Sequence, residues 1–354
     1  MKGFVKLTKE TWKFYLTVLI VCLLFVIGSS LYLCNELKFK YIDDISSFKA
    51  DGIVFDSLIV DKAQNNDVLG FFTVVAGIMI VLLIRHFFFI NQRTKEFQSF
   101  LPVKQRTWVI HDFVSMLGII IVSFLVMTGI FLSAQTRYNK DMLKAAGLHH
   151  IEGMNDGLIA LANGEMLTCI LYYFIFIFFV FTLIYLGMLV CRNSLAGGMI
   201  AVVAWWFCVS TLDEIYWGIS SDDIYTTEIE NLVKKADWLR AAVNPDEFFR
   251  WKSGNWQECT SISLTASLSL IFVLLIVIAA GRIEGSKGKL FYFAFLDYLF
   301  SIFCGVSITY YAIFYIDGAA FLPFVLVIGV LTMVVVWWLI HPGKQKTTNN
   351  WEVK

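Results

Sequence analysis

Apolar runs of about twenty residues recur along the chain, separated by short charged segments and by two longer polar ones. A helical run of that length crosses the ~30 Å hydrocarbon core of a bilayer. The runs fall at 14–33, 68–90, 111–133, 166–190, 196–217, 261–281, 290–314 and 321–340. The pattern predicts an all-α polytopic membrane protein, with about eight transmembrane helices in a single transmembrane domain over 1–354. The run at 196–217 grows more polar toward its end, and the run at 290–314 carries Asp297. The first run is too long for a signal-peptide core and has no small-residue cleavage site, so it reads as a span.

The intervening segments have patterns of their own. Residues 1–13 place Phe4, Val5, Leu7 and Trp12 among Lys2, Lys6, Lys9 and Lys13, which predicts a basic interfacial helix before the first span. Residues 34–67 read as a polar outer loop. Within 218–260, Thr227 and Glu230 form a capping box, and Ile229, Leu232, Val233, Ala236 and Val243 keep a helical stripe. Asn244-Pro245 ends that helix and opens another, because proline is tolerated at a first helical position. Two short amphipathic helices are therefore expected outside, between the fifth and sixth spans. They read either as a lid on the span tops or as part of an outer gate.

Composition strengthens the membrane reading and adds orientation. The chain is 58% hydrophobic and only 16% charged, with mean hydropathy +0.71; soluble domains carry about a quarter charged residues. The net charge is zero, with 28 bases and 28 acids, and nothing suggests nucleic acid. With the N-terminus inside, the short inner segments hold Lys2, Lys6, Lys9, Lys13, Arg85, Arg93, Lys95, Lys104, Arg106, Arg192, Arg282, Lys287, Lys289, Lys344, Lys346 and Lys354. The acids on that side are Glu10, Glu96, Glu284 and Glu352. The positive-inside rule then puts both termini, including the tail 341–354, in the cytoplasm of a multi-pass plasma-membrane protein. Trp12, Trp108, Trp337 and Trp338 would anchor the inner interface and Trp217 the outer one, while Trp205 and Trp206 fall mid-span.

Candidate chemistry is sparse. The seven cysteines show no metal spacing. Cys34 and Cys259 fall near outer span ends, which leaves a disulfide between them open. His149 and His150 with Glu152 lack the i, i+4 spacing of a helical metal site and read as a solvated loop. There is no H-E-x-x-H or G-x-S-x-G. The inner stretch "GRIEGSKGKL" has Ile283 where a phosphate-binding loop needs glycine, and Leu290 where it needs Ser or Thr. No enzymatic activity and no bound cofactor are expected of this chain. His111 and Asp112 open the third span, where Arg85 can snorkel from the second. Asp297 is either an intramembrane proton-relay acid or an acid hydrogen-bonded near the inner interface.

The inner segment 91–110 is more specific. In "RTKEFQSFL", Phe97, Phe100 and Leu101 share one face of a short helix, with Arg93, Lys95 and Glu96 on the others. Pro102 breaks it. Lys104 and Arg106 then lead back toward the membrane at Trp108. The apolar face either dips into the inner leaflet or docks on a partner.

Three features together resemble the permease subunits of type-2 ATP-binding cassette (ABC) exporters of the Gram-positive form. They are the N-terminal interfacial helix, the loop "RTKEFQSFLPVKQRTWVIHDF", and the stretch "GRIEGSKGKLFYF". In the last, Arg282 keeps its place while Glu284 and Gly288 stand at shifted spacing. The resemblance implies that 91–110 is a cytoplasmic coupling helix docking on a separate ATPase subunit. Phe97, Phe100, Leu101 and Pro102 would form its apolar turn, and Arg93, Lys95, Glu96, Lys104 and Arg106 its polar rim. It further implies a second permease, as homodimer or heterodimer, with ATP and magnesium held by the partner ATPases. The short outer helices would match the family's small gate helices. The final pair of spans exceeds the family's six-span core. Two other readings stay open: a stand-alone ion-coupled carrier built on Asp297, and a membrane sensor or scaffold working through its outer loops.

Overall fold

The computed structural model describes residues 2–51, 104–148, 156–220, 239–240, 242–243, 256–282, 290–315 and 322–341. These residues form seven long helices: α1 (Lys2–Asp51), α2 (Gln105–Leu148), α3 (Asp156–Val190), α4 (Ser194–Ser220), α5 (Trp256–Arg282), α6 (Ala294–Tyr315) and α7 (Leu322–Ile340). Six contain stretches long and apolar enough to cross a membrane: Thr11–Tyr32, Arg106–Ala134, Ser194–Asp213, Ile262–Arg282, Ala294–Ile313 and Pro323–Ile340. α3 carries a shorter apolar stretch, Phe174–Val190. The protein is an all-helical, multi-pass membrane protein. The run expected at 68–90 lies outside the described residues.

Two helices run well past their apolar stretches. α1 continues unbroken from Lys2 to Asp51, where a separate interfacial helix at 1–13 and an outer loop from 34 were expected. The physical reason is local. Between Gly3 and Gly28 no glycine or proline interrupts the helix, and none occurs from residue 29 until Gly52. Thr8 also bonds to His111 at 3.1 Å, which ties the start of α1 to α2. α2 likewise extends to Leu148, beyond the expected end at 133.

The helix directions follow from paired contacts. α2 and α3 run antiparallel, with Phe113 stacked on Phe181 at 5.6 Å and Phe124 against Phe174 at 4.9 Å. α1 and α2 run parallel. Thr8 and Tyr15 meet His111 and Asp112 at one end, while Cys22, Val26 and Cys34 share a buried cluster with Met116, Ile120, Met127 and Phe131 farther along. α6 and α7 are antiparallel, with Tyr298 stacked on Trp337 at 4.1 Å. The starts of α1, α2, α4 and α6 therefore gather with the ends of α3, α5 and α7. This end carries Lys9, Lys13, Lys104, Arg106, Arg192 and Arg282, and is called the basic end below.

Small residues set the two tightest crossings. A Cβ on Gly187 would lie 2.6 Å from the Gly197 carbonyl, and one on Gly197 would strike the Gly187 carbonyl. A Cβ on Gly305 would lie 2.7 Å from the Gly329 carbonyl. Close backbone approach of this kind is how helices associate in lipid, where the hydrophobic effect between them is absent. Hydroxyls inside the spans bond back to carbonyls one turn earlier, as Thr128 to Phe124 and Thr309 to Gly305 do at 2.9 Å. That satisfies them without water. α7 presents Phe324, Val327, Leu331, Val334 and Trp338 outward, as a lipid-facing helix must.

Candidate functional site

Three polar constructions stand out against this apolar background. The first lies at the basic end, two turns into α2. Asp112 is buried, yet both carboxylate oxygens are engaged: Oδ1 accepts from the Tyr15 hydroxyl at 2.9 Å and Oδ2 from the Tyr185 hydroxyl at 3.2 Å. The Tyr185 hydroxyl also lies 3.2 Å from the Val109 carbonyl. His111, 2% exposed, meets Thr8 and packs T-shaped against the Tyr15 ring at 5.5 Å. One carboxylate thereby keys α1, α2 and α3 together. A buried acid is costly unless donors reach it, and tyrosines suit this depth because the ring is apolar and only the tip is polar. Sequence reasoning marked His111 and Asp112 but had no means of pairing them with Tyr15 and Tyr185.

The expected docking segment leads straight into this junction. Arg93, Lys95, Glu96, Phe97, Phe100, Leu101 and Pro102 lie outside the described residues. Lys104 opens α2, its carbonyl accepting from Thr107 and Trp108 at 2.9 and 3.2 Å. Lys104 and Arg106 are exposed. Trp108 is buried, 9% exposed, and so packs inside the bundle instead of anchoring in head groups as expected. Trp12 and Trp338, by contrast, are exposed.

The second construction joins two turns at the same end. The backbone at Cys191 and Phe291 forms a single antiparallel bridge. Arg192 N donates to Leu290 O at 3.0 Å and Tyr292 N to Val190 O at 2.8 Å. The Cys191 thiol points at the same Leu290 carbonyl, 3.3 Å away, and burial pushes its pKa up. Asn193 caps α4, its Oδ1 accepting from Leu195 and Ala196. Asp297 fixes the other turn. Its Oδ1 accepts from the amides of Leu290 at 3.1 Å and Phe291 at 2.9 Å, and its Oδ2 lies 3.7 Å from His341 Nε2. The His341 ring stacks on Trp337 at 3.6 Å. Asp297 thus sits in the first turn of α6, at the basic end, where its contacts hold a turn together.

The third lies toward the opposite end and was not foreseen. Arg240, 5% exposed, pairs with Asp213 of α4 at 2.6 Å. Three residues on, Val243 O accepts from Trp205 Nε1 at 2.9 Å, and Ala242 O accepts from Thr265 Oγ1 at 2.7 Å. Val243 packs into an apolar cluster with Phe176, Phe179, Trp205, Ile262, Leu268 and Phe272. Residues 239–240 and 242–243 are helical, and the rest of the expected outer helix from 227 lies outside the described residues. Trp205 stands eleven residues past Ser194, roughly 16 Å along the helix axis. Residues 242 and 243 therefore sit among α3, α4 and α5. Backbone at such depth is tolerated only where protein buries it and satisfies its polar groups. Trp205, mid-span and out of place as an interfacial anchor, is explained by this bond. Arg240 flanked by "WL" and "AAV" was the one sequence signal for the buried pair.

Cys34 is buried in the α1–α2 interface. His149, His150, Glu152 and Cys259 lie outside the residues whose side chains are described. Among the described residues, no group of three His, Cys, Asp or Glu could hold a metal ion. No family model, curated protein or solved structure matches the chain.

Proposed function

We propose that this chain is the permease subunit of an ABC exporter, moving its substrate across the cytoplasmic membrane with ATP hydrolysed by a separate subunit. The observation that carries the reading is the parallel course of α1 and α2. Both start at the basic end, so the chain must return there between residues 52 and 103. The apolar run 68–90 is long enough to make that return, which would bring the count to eight crossings. The segment 91–103 would then be a loop at the basic end, which the positive-inside rule would assign to the cytoplasm.

The loop would dock its Phe97, Phe100 and Leu101 face on the ATPase, with Arg93, Lys95, Glu96 and Lys104 around it. Force on the loop enters α2 directly, and the Tyr15–Asp112–Tyr185 link passes it to α1 and α3 as one body. At the other end, the segment held by Arg240–Asp213 stands between α3, α4 and α5, where an outward path would open. A second permease, identical or related, completes the assembly, and the α6–α7 pair is an addition to a six-span core.

The reading is tested in proteoliposomes. Transport should require both ATP and an ATPase subunit, and the purified chain alone should hydrolyse no nucleotide. Substrate movement by the chain alone, driven by an ion gradient, would overturn it in favour of an ion-coupled carrier.

A further inference from the structure

At the basic end, Arg106 and Arg282 stand beside each other on neighbouring helices. Arg106 and Arg282 are the terminal residues of two membrane-crossing stretches, Arg106–Ala134 in α2 and Ile262–Arg282 in α5. Both side chains are exposed. Arg106 Cδ lies 3.8 Å from where a Cβ on Gly281 would stand, so its stem lies beside the residue preceding Arg282. Among the described residues neither guanidinium has an acidic partner. Arg240, deep at the other end, has Asp213, and Arg192 lies over the Tyr292 ring.

An anion between two like charges at one membrane boundary offsets their repulsion. The surroundings define which anion. Farther along the same two helices, Val114, Ile121 and Val122 of α2 and Leu274, Leu275 and Ile278 of α5 are exposed apolar side chains. A ligand here meets guanidinium at head-group depth and hydrocarbon below it. Guanidinium forks match phosphate geometry, and basic pockets between spans on the cytoplasmic side bind anionic head groups.

We propose that Arg106 and Arg282 form a binding site for the phosphate of an anionic phospholipid, whose acyl chains lie along α2 and α5. The site is separate from the docking face of Phe97, Phe100 and Leu101, and it gives Arg106 a membrane partner in place of a position on that rim.

Native mass spectrometry of the full chain tests it, with phosphatidylglycerol and phosphatidylcholine added at equal concentration. The wild type should retain phosphatidylglycerol in preference. Arg106→Gln with Arg282→Gln should reduce that preference about 30-fold, the effect of two near-surface cations. Arg137→Gln with Lys140→Gln, at the opposite end of α2, should leave it unchanged. Arg106→Lys with Arg282→Lys, which keeps the charge and the fold, should retain part of it. Undiminished preference in the double glutamine variant, or an equal loss from the Arg137/Lys140 variant, would overturn the proposal.

Discussion

Tyr15 donates a 2.9 Å hydrogen bond to Asp112, 97 residues away in sequence, and so joins the starts of two parallel helices. Tyr185 reaches the same carboxylate from a third helix. Replacing Asp112 with Ala removes the carboxylate that joins the three helices, with the Val109 carbonyl left for Tyr185, and should cost about 3 kcal/mol. Tyr15→Phe removes one of the two phenol donors to the carboxylate, leaves the Tyr185 donor in place and should cost about 1.5 kcal/mol. Thermal unfolding in detergent should therefore rank Asp112→Ala well below Tyr15→Phe. Equal melting temperatures would show that the carboxylate does not key the three helices.

The glycine crossings make a second prediction. Gly187→Val and Gly197→Val each force a side chain into a facing backbone and should cost about 1–3 kcal/mol by overpacking. Gly28 and Gly129 face open space. Gly28→Ala and Gly129→Ala should be neutral or stabilising by up to about 1 kcal/mol. Melting temperatures of the four variants check the contrast.

Arg240 and Asp213 hold a segment whose Ala242 is fully buried. A cysteine at Ala242 should react little with a membrane-impermeant maleimide. Adding Arg240→Gln should raise its labelling severalfold, because the charge left on Asp213 loses its partner and the segment lifts. Labelling that stays low would mean that Trp205 and Thr265 hold the segment unaided.

Cys191 gives a pH dependence. Burial raises its thiol above the ordinary value of 9.0, so the folded chain favours the neutral form. Its contribution to stability is whole below pH 9.0 and falls as pH rises from there toward the raised folded value. Alkylation of Cys191 should be slow at neutral pH, since the thiolate is the reactive species. It should accelerate on unfolding, read by mass spectrometry of the labelled peptide.

Apolar run length made the crossings legible, because a bilayer imposes one length on every span. Helix ends were less legible. At α1 the chain turns polar after residue 33 yet stays helical, since polarity alone does not end a helix when no glycine or proline intervenes. Asp297 was legible as an acid in an apolar run, but its contacts depend on the turn at 290–293 folding back over it. Tyr15–Asp112–Tyr185 was illegible, and Asp213–Arg240 was marked only by an arginine in an apolar stretch, because each pairs side chains on separate segments that only packing brings together. Gly187 and Gly197 stood in plain view, and small residues flanking a short turn between two spans were the signal that could have marked them.

Docking of an ATPase on the segment before α2 is checked by co-purification. A tagged chain extracted from its native membrane should bring down a soluble subunit bearing a Walker A motif, and Phe97→Asp with Phe100→Asp should abolish that recovery while leaving the melting temperature unchanged. Full recovery of the ATPase by the double variant would contradict the docking role of this loop.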